Sequence, residues 1–203
     1  MFIEQVPGFV RNLFPKALWR MNPNEKAVYL TFDDGPIPVV TPWVVELLGH
    51  YDIKATFFMV GDNVRKHPKE YKLVVDAGHI VGNHTFNHLK GLSTDTREYI
   101  ENVEKADALI HSNLFRPPHG MLRRSQYKEL SKRYQFVMWD LVTRDYSKRM
   151  NGEEVLANVK KYVRNGSIIT FHDSLRSEEN LKYALPRAIE WLLEQGYEFK
   201  LFE

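Results

Sequence analysis

Cysteine is missing from the 203-residue chain. That excludes disulfides, thiol nucleophiles, Cys-ligated zinc and iron–sulfur clusters. No apolar run approaches the roughly 18 residues of a membrane span. Neither charge sign dominates: 28 Lys and Arg stand against 26 Asp and Glu, for a formal net charge of +2. This is too even for a nucleic-acid or membrane-surface binder, whose footprint is a clustered excess of Lys and Arg. G-x-G-x-x-G, Walker A and G-x-S-x-G are all missing, so nucleotide binding and α/β-hydrolase chemistry lose their usual signals. Residues 1–22 carry no secretory pattern, because Glu4, Pro7, Arg11 and Lys16 interrupt any apolar core. The expectation from this is a cytoplasmic protein without a transmembrane segment.

What is present suits one globular domain: 43% of the residues are hydrophobic and 27% charged, ordinary values for a chain that buries a core. Short runs rich in β-branched and aromatic residues recur at Ala27–Phe32, Ile53–Val60, His79–Gly82, Asn113–Arg116, Gln135–Leu141, Ser167–Phe171 and Tyr197–Phe202. Between them lie stretches with apolar residues at helical spacing: Thr41–Leu48, Asn63–Asp76, Ser93–Ile110, Glu153–Val163 and Asn180–Glu194. Pro42 suits the first helical position with Thr41 as cap. Pro186 marks a kink or the true start of its helix. Strands alternating with helices predict βαβ units and a parallel sheet, either open or closed into a barrel. In both, sites form at the carboxyl ends of the strands. Residues 1–24 read as an arm, with Phe9, Val10, Leu13, Phe14, Leu18 and Trp19 packing on the body at 25–203; a peripheral membrane foot is the alternative.

The polar residues just past the strands are distinctive. Asp33 and Asp34 follow the first, in Thr31–Pro36 (TFDDGP). Two adjacent carboxylates raise each other's proton affinity unless a cation compensates, and a metal is an economical cation. His84 and His88 follow the third strand, four apart, a spacing that lets both reach one ion. Arg116 follows the fourth, in the stiff run Arg116–Gly120 (RPPHG), and supplies a permanent positive charge for a carboxylate. Arg144-Asp145-Tyr146 and His172-Asp173 follow the fifth and sixth. In a parallel fold these ends converge on one mouth. His50, His67, His79 and His111 lie in or beside helices or at a strand start and read as surface or structural.

TFDDGP (Thr31–Pro36), HTFNH (His84–His88), RPPHG (Arg116–Gly120), WDLVTRDY (Trp139–Tyr146) and ITFHD (Ile169–Asp173) occur in that order. The set resembles the five motifs of the polysaccharide deacetylases, carbohydrate esterase family 4 with its NodB-homology domain. The resemblance covers everything but the arm. It implies an α/β fold, a distorted, TIM-barrel-like (β/α)7 barrel. It also implies one divalent metal ion, zinc foremost with cobalt, nickel or manganese able to serve, and an N-acetylated glycan as substrate. By the same resemblance Asp34, His84 and His88 are the metal ligands, with Thr85 bracing their loop. Asp33 is the general base, and Arg116 orients it and holds it anionic. The backbone N–H of His119 faces the oxyanion, and Asp145 tunes His172, the general acid. Three positions depart from the family pattern. His119 replaces a more usual aromatic residue, Tyr146 replaces the Trp that walls the groove, and Thr170 replaces a Leu beside the acetyl pocket. The alternatives are an O-acetyl esterase on xylan-like glycans, a non-catalytic glycan-binding relic and a structural metal site.

Overall fold

The computed structural model describes residues 4–202. Eight parallel strands run among them: β1 (Ala27–Asp33), β2 (Thr56–Met59), β3 (Ile80–Asn83), β4 (Leu114–Phe115), β5 (Gln135–Phe136), β6 (Leu141–Val142), β7 (Ser167–His172) and β8 (Glu198–Phe199). The helices are α1 (Gly8–Arg11), α2 (Val40–His50), α3 (Gly61–Lys66), α4 (Pro68–Asp76), α5 (Thr96–Ile110), α6 (Arg124–Leu130), α7 (Gly152–Tyr162) and α8 (Glu178–Glu194). The sheet order is β5-β4-β3-β2-β1-β7-β6, with β8 beside the start of β1. It curls into the distorted barrel that the motifs imply.

All seven residues of β1 are buried, as expected for a central strand covered on both faces. Phe32 stacks on Phe57 and Phe171 of the two flanking strands. The helices shield the sheet with one stripe each: Tyr99, Val103, Ala106 and Ile110 on α5, and Leu181, Ala184, Leu185, Ala188, Ile189 and Leu192 on α8. These are the i, i+3, i+4 spacings of an amphipathic helix. Truncating Phe57 should lower the unfolding free energy by about 3–5 kcal/mol, since a fully buried ring leaves a cavity that the neighbours refill only in part. Urea denaturation of Phe57→Ala reads this directly.

Several elements differ from the sequence reading, each for a physical reason. The strand expected at Gln135–Leu141 splits. Its first part pairs with β4 and its last with β7, so the chain crosses from one sheet edge to the other between them. Leu18 of the arm fills the seam, bridging Val137 and exchanging bonds with Phe136 and Met138. The helix expected over Asn63–Asp76 breaks at His67, because Pro68 cannot continue the first helix and begins a second. Thr41 does not cap α2, which starts one residue earlier; its hydroxyl is used elsewhere, as described below. Pro186 lies inside α8, so the helix does not start there. The helix expected from Ser93 starts at Thr96, capped by Asp95. Helix α6 was not expected from the sequence; Gln126 initiates it by accepting from the Arg123 N–H.

Candidate active site

The carboxyl ends of the strands open on a cavity of about 810 Å³. Asp33, Asp34, His84, His88, His119, Tyr146 and His172 all line it. The loops that deliver them are sharply bent: Asp34, Thr85, His88, His119 and Arg144 have positive φ. Left-handed backbone is unfavourable for residues with a Cβ and persists where surrounding contacts over-determine it.

Two neighbouring strands carry the first part of the site. Asp33 closes β1 and sits in register with His172 at the end of β7. Arg116, 0% exposed, reaches Asp33 Oδ1 from Nη1 at 2.6 Å. The guanidinium also donates to the carbonyls of Val137 and Met138, lies within 3.1 Å of the Thr31 and Thr170 hydroxyls, and rests 4.1 Å from the Phe58 ring centroid. Thr170 is thus part of the Arg116 cradle as well as of the cavity wall.

Asp34, His84 and His88 each present one ligand atom, all within 4.8 Å of one another. Asp34 Oδ1 is 3.2 Å from His88 Nε2 and 3.8 Å from His84 Nε2. His84 Nδ1 lies 2.7 Å from the Arg116 carbonyl. A carbonyl only accepts, so Nδ1 carries the proton and Nε2 keeps a free lone pair toward Asp34. Arg116 therefore holds Asp33 with its side chain and His84 with its backbone. Burial pushes His84 down to about 4, keeping the imidazole neutral. Burial opposes ionisation of Asp34, but His88, His172 and His84 outweigh it and hold that carboxyl below the usual range. Buried Asp34 Oδ1 has no hydrogen-bond partner among the described residues. An anionic oxygen flanked by the Nε2 atoms of His88 and His84, the latter with its lone pair available, fits a divalent cation of the zinc class.

The loop between them is braced from α5. Asn83 accepts from the Thr85 N–H and donates to the Val103 carbonyl, and Thr85 Oγ1 accepts from the Leu89 N–H. Asn102 accepts from the Phe86 N–H and donates to the Asn87 side chain.

On the opposite wall, buried Asp145 holds His172 twice, by Oδ1 to Nδ1 at 2.8 Å and by Oδ2 to the backbone N–H at 2.7 Å. Burial works against a charged imidazole there, but Asp145, with help from Asp34 and Asp33, pushes His172 up to about 9. The Tyr146 ring meets His172 edge-on at 4.7 Å, and the His119 ring meets His88 at 4.8 Å. Gly120 follows His119 with φ +67, and the Trp139 ring occupies the space where a Cβ would stand, so this turn and the cavity wall are built as one piece. Of the histidines set aside from the sequence, His79 is buried on the Ala55 N–H, and none of the four lines the cavity.

Sequence reasoning missed Asn83, Asn102 and Asn63, which hold loops through backbone contacts, and gave no role to Asp173. The signal for Asp173 was its position beside His172 at a strand's carboxyl end.

The family model described as polysaccharide deacetylase matches residues 20–139. A peptidoglycan-N-acetylglucosamine deacetylase of Bacillus cereus is 35% identical over 89% of this chain and 88% of its own length. Other relatives are longer, and the chain spans 57% or 37% of them. The solved structure of the Bc1960 peptidoglycan N-acetylglucosamine deacetylase superposes with a TM-score of 0.88 at 27% identity, covering 96% of this chain and 94% of that one. BA3943 of Bacillus anthracis, a family 4 pseudoenzyme, superposes at 0.83 and 29% identity over 94% of this chain and 68% of its own. With its five motifs gathered at one mouth of the same distorted barrel, the chain belongs to the polysaccharide deacetylase family, carbohydrate esterase family 4.

Proposed function

We propose that this chain is a metal-dependent hydrolase that removes N-acetyl groups from an amino-sugar glycan of the peptidoglycan or chitin type. The observation that carries this reading is the grouping of an ion-sized Asp34, His84 and His88 set between an arginine-held carboxylate and an aspartate-held imidazole. Asp34, His84 and His88 would hold a divalent ion, which would supply a Lewis acid for the acetyl carbonyl and acidify the attacking water. Asp33, oriented by Arg116, is the base that takes the proton of the attacking water. The His119 N–H is the backbone donor to the developing oxyanion. His172 spends Nδ1 on Asp145, so Nε2 is the nitrogen that delivers a proton to the departing amine, a poor leaving group without it. Tyr146 and Trp139 wall the sugar groove.

A pH profile tests the acid. His172 lies above its ordinary value of 6.5, at about 9, so its protonated form is the one the fold favours. The stabilisation from its pairing with Asp145 is fully present below about 6.5 and is lost as pH rises through about 9. A cation at Asp34 lowers the upper bound. Activity should therefore fall on the alkaline side at or below about 9, and Asp145→Asn should move that limb to lower pH, because it removes the charge that raises His172. An unmoved limb would contradict the pairing of acid and carboxylate.

The function itself is tested by acetate release from N-acetylated chitin and peptidoglycan fragments with zinc, cobalt or nickel supplied. Release from these is the expected result. Release only from O-acetylated xylan would reassign the chain as an esterase. No release from any acetylated glycan, with binding retained, would make it a relic, the state that BA3943 is named for.

A further inference from the structure

Asp173 sits between β7 and α8, 1% exposed, and does not line the cavity. The reaction outlined above does not use it. Its buried carboxyl group forms no ion pair among the described residues, and its two side-chain partners are neutral groups. An apolar side chain would fill such a core position at less cost, since a polar group taken out of water must be matched by hydrogen bonds.

Its contacts converge on one residue. The Asp173 N–H donates to the Asp33 carbonyl at 3.1 Å, and Oδ1 accepts from the Gly35 N–H at 3.0 Å. Those two groups belong to the peptide planes on either side of Asp34. Fixing both planes fixes the backbone torsions between them, here at φ +84, a region that L residues rarely adopt. Oδ2 accepts from the Thr41 hydroxyl at 2.5 Å, and Thr41 Oγ1 in turn accepts from the Ile37 N–H at 2.8 Å, so the loop beyond Gly35 is tied to the same carboxylate. A Cβ at Gly35 would lie 2.0 Å from Asp173 Oδ2, which explains the glycine: the carboxylate occupies its side-chain space. Asn63 pins the Asp34 carbonyl from the other side.

We propose that Asp173 is a positioning residue for the metal site, clamping the peptides before and after Asp34 so that the Asp34 carboxylate faces His84 and His88. The proposal rests on the reading of those three residues as ligands of a divalent ion.

Zinc affinity of the purified full chain, measured by competition with a chromogenic chelator, tests it. Asp173→Ala should bind zinc roughly 10–100-fold more weakly, the usual effect of removing a group that orients a ligand. Asp173→Asn, which keeps an acceptor for the Gly35 N–H, should recover part of the loss. Saturating zinc should restore most of the turnover of both variants, and the cobalt-loaded spectrum of Asp173→Ala should shift. Affinity within about twofold of wild type for Asp173→Ala would overturn the proposal on that same scale. So would a loss of turnover that zinc cannot restore at unchanged affinity, which would place Asp173 behind Asp33 or His172 instead. If Asp173→Ala does not fold, Asp173→Asn and Thr41→Val decide: weaker zinc binding in either, with cooperative unfolding, supports the clamp, and unchanged binding in both overturns it. Wild-type protein that fails to bind zinc sinks the metal reading itself, a result distinct from wild-type binding that Asp173→Ala leaves intact.

Discussion

Asp33→Asn should keep its metal and lose turnover by about 10²–10⁴-fold, the range that a positioned general base contributes. The two adjacent aspartates differ in what surrounds them. Asp33 is buried and spends Oδ1 on Arg116, whereas Asp34 projects toward His84 and His88. An amide at position 33 has nearly the shape of the carboxylate, and its carbonyl oxygen can still accept from Arg116, so the fold and the ion site should survive. What it cannot do is take a proton from water. Asp34→Asn should give the opposite signature. It removes the one anionic ligand and should cost metal affinity first, with turnover partly recovered by adding more zinc. Metal content by atomic absorption, set beside acetate release at rising zinc, separates the two. Equal metal loss in both variants would mean that the roles of base and ligand had been exchanged.

Arg116→Ala should be the most damaging change to the fold at this site, lowering the unfolding free energy by about 3–5 kcal/mol, the usual cost of breaking a buried charge pair by removing one partner. Three losses combine. Asp33 is left a buried carboxylate without its cation. The Val137 and Met138 carbonyls lose their donors at the point where the chain crosses between sheet edges. The guanidinium also leaves a void over Phe58. That sum is a large share of the roughly 5–15 kcal/mol that keeps a typical domain folded. Denaturant unfolding of the single variants and of Asp33→Asn/Arg116→Ala distinguishes the sources. If the uncompensated charge dominates, the double variant should be more stable than Arg116→Ala alone. If the double variant is no better, the carbonyls and the void carry the cost.

The candidate site was legible in the linear chain to an unusual degree, and the reason is geometric. In a parallel α/β unit every strand points the same way, so residues just past the strands share one mouth. Asp33, Asp34, His84, His88, Arg116, Asp145 and His172 could be picked out on that rule; the structure sets five of them in the wall of one cavity and buries Arg116 and Asp145 behind Asp33 and His172. His119 and Tyr146 came from the motifs, and their rings abut His88 and His172. Helix ends were less legible. Thr41 and Pro42 looked like a cap and a first turn, but a hydroxyl that can cap can equally serve a carboxylate 132 residues away.

By itself the sequence determined the alternation of strand and helix, the side-chain types available for catalysis and their position at strand ends, because hydrophobic period and turn chemistry are local properties. Only the tertiary structure decided the rest. It split the strand at 135–142 between two partners and drew Leu18 into the seam. It gave Arg116 a double duty through its side chain and its carbonyl. It also set Asp173 against both peptides of Asp34. Each depends on which distant backbone groups come within hydrogen-bond reach once the core closes, and no local pattern encodes that distance.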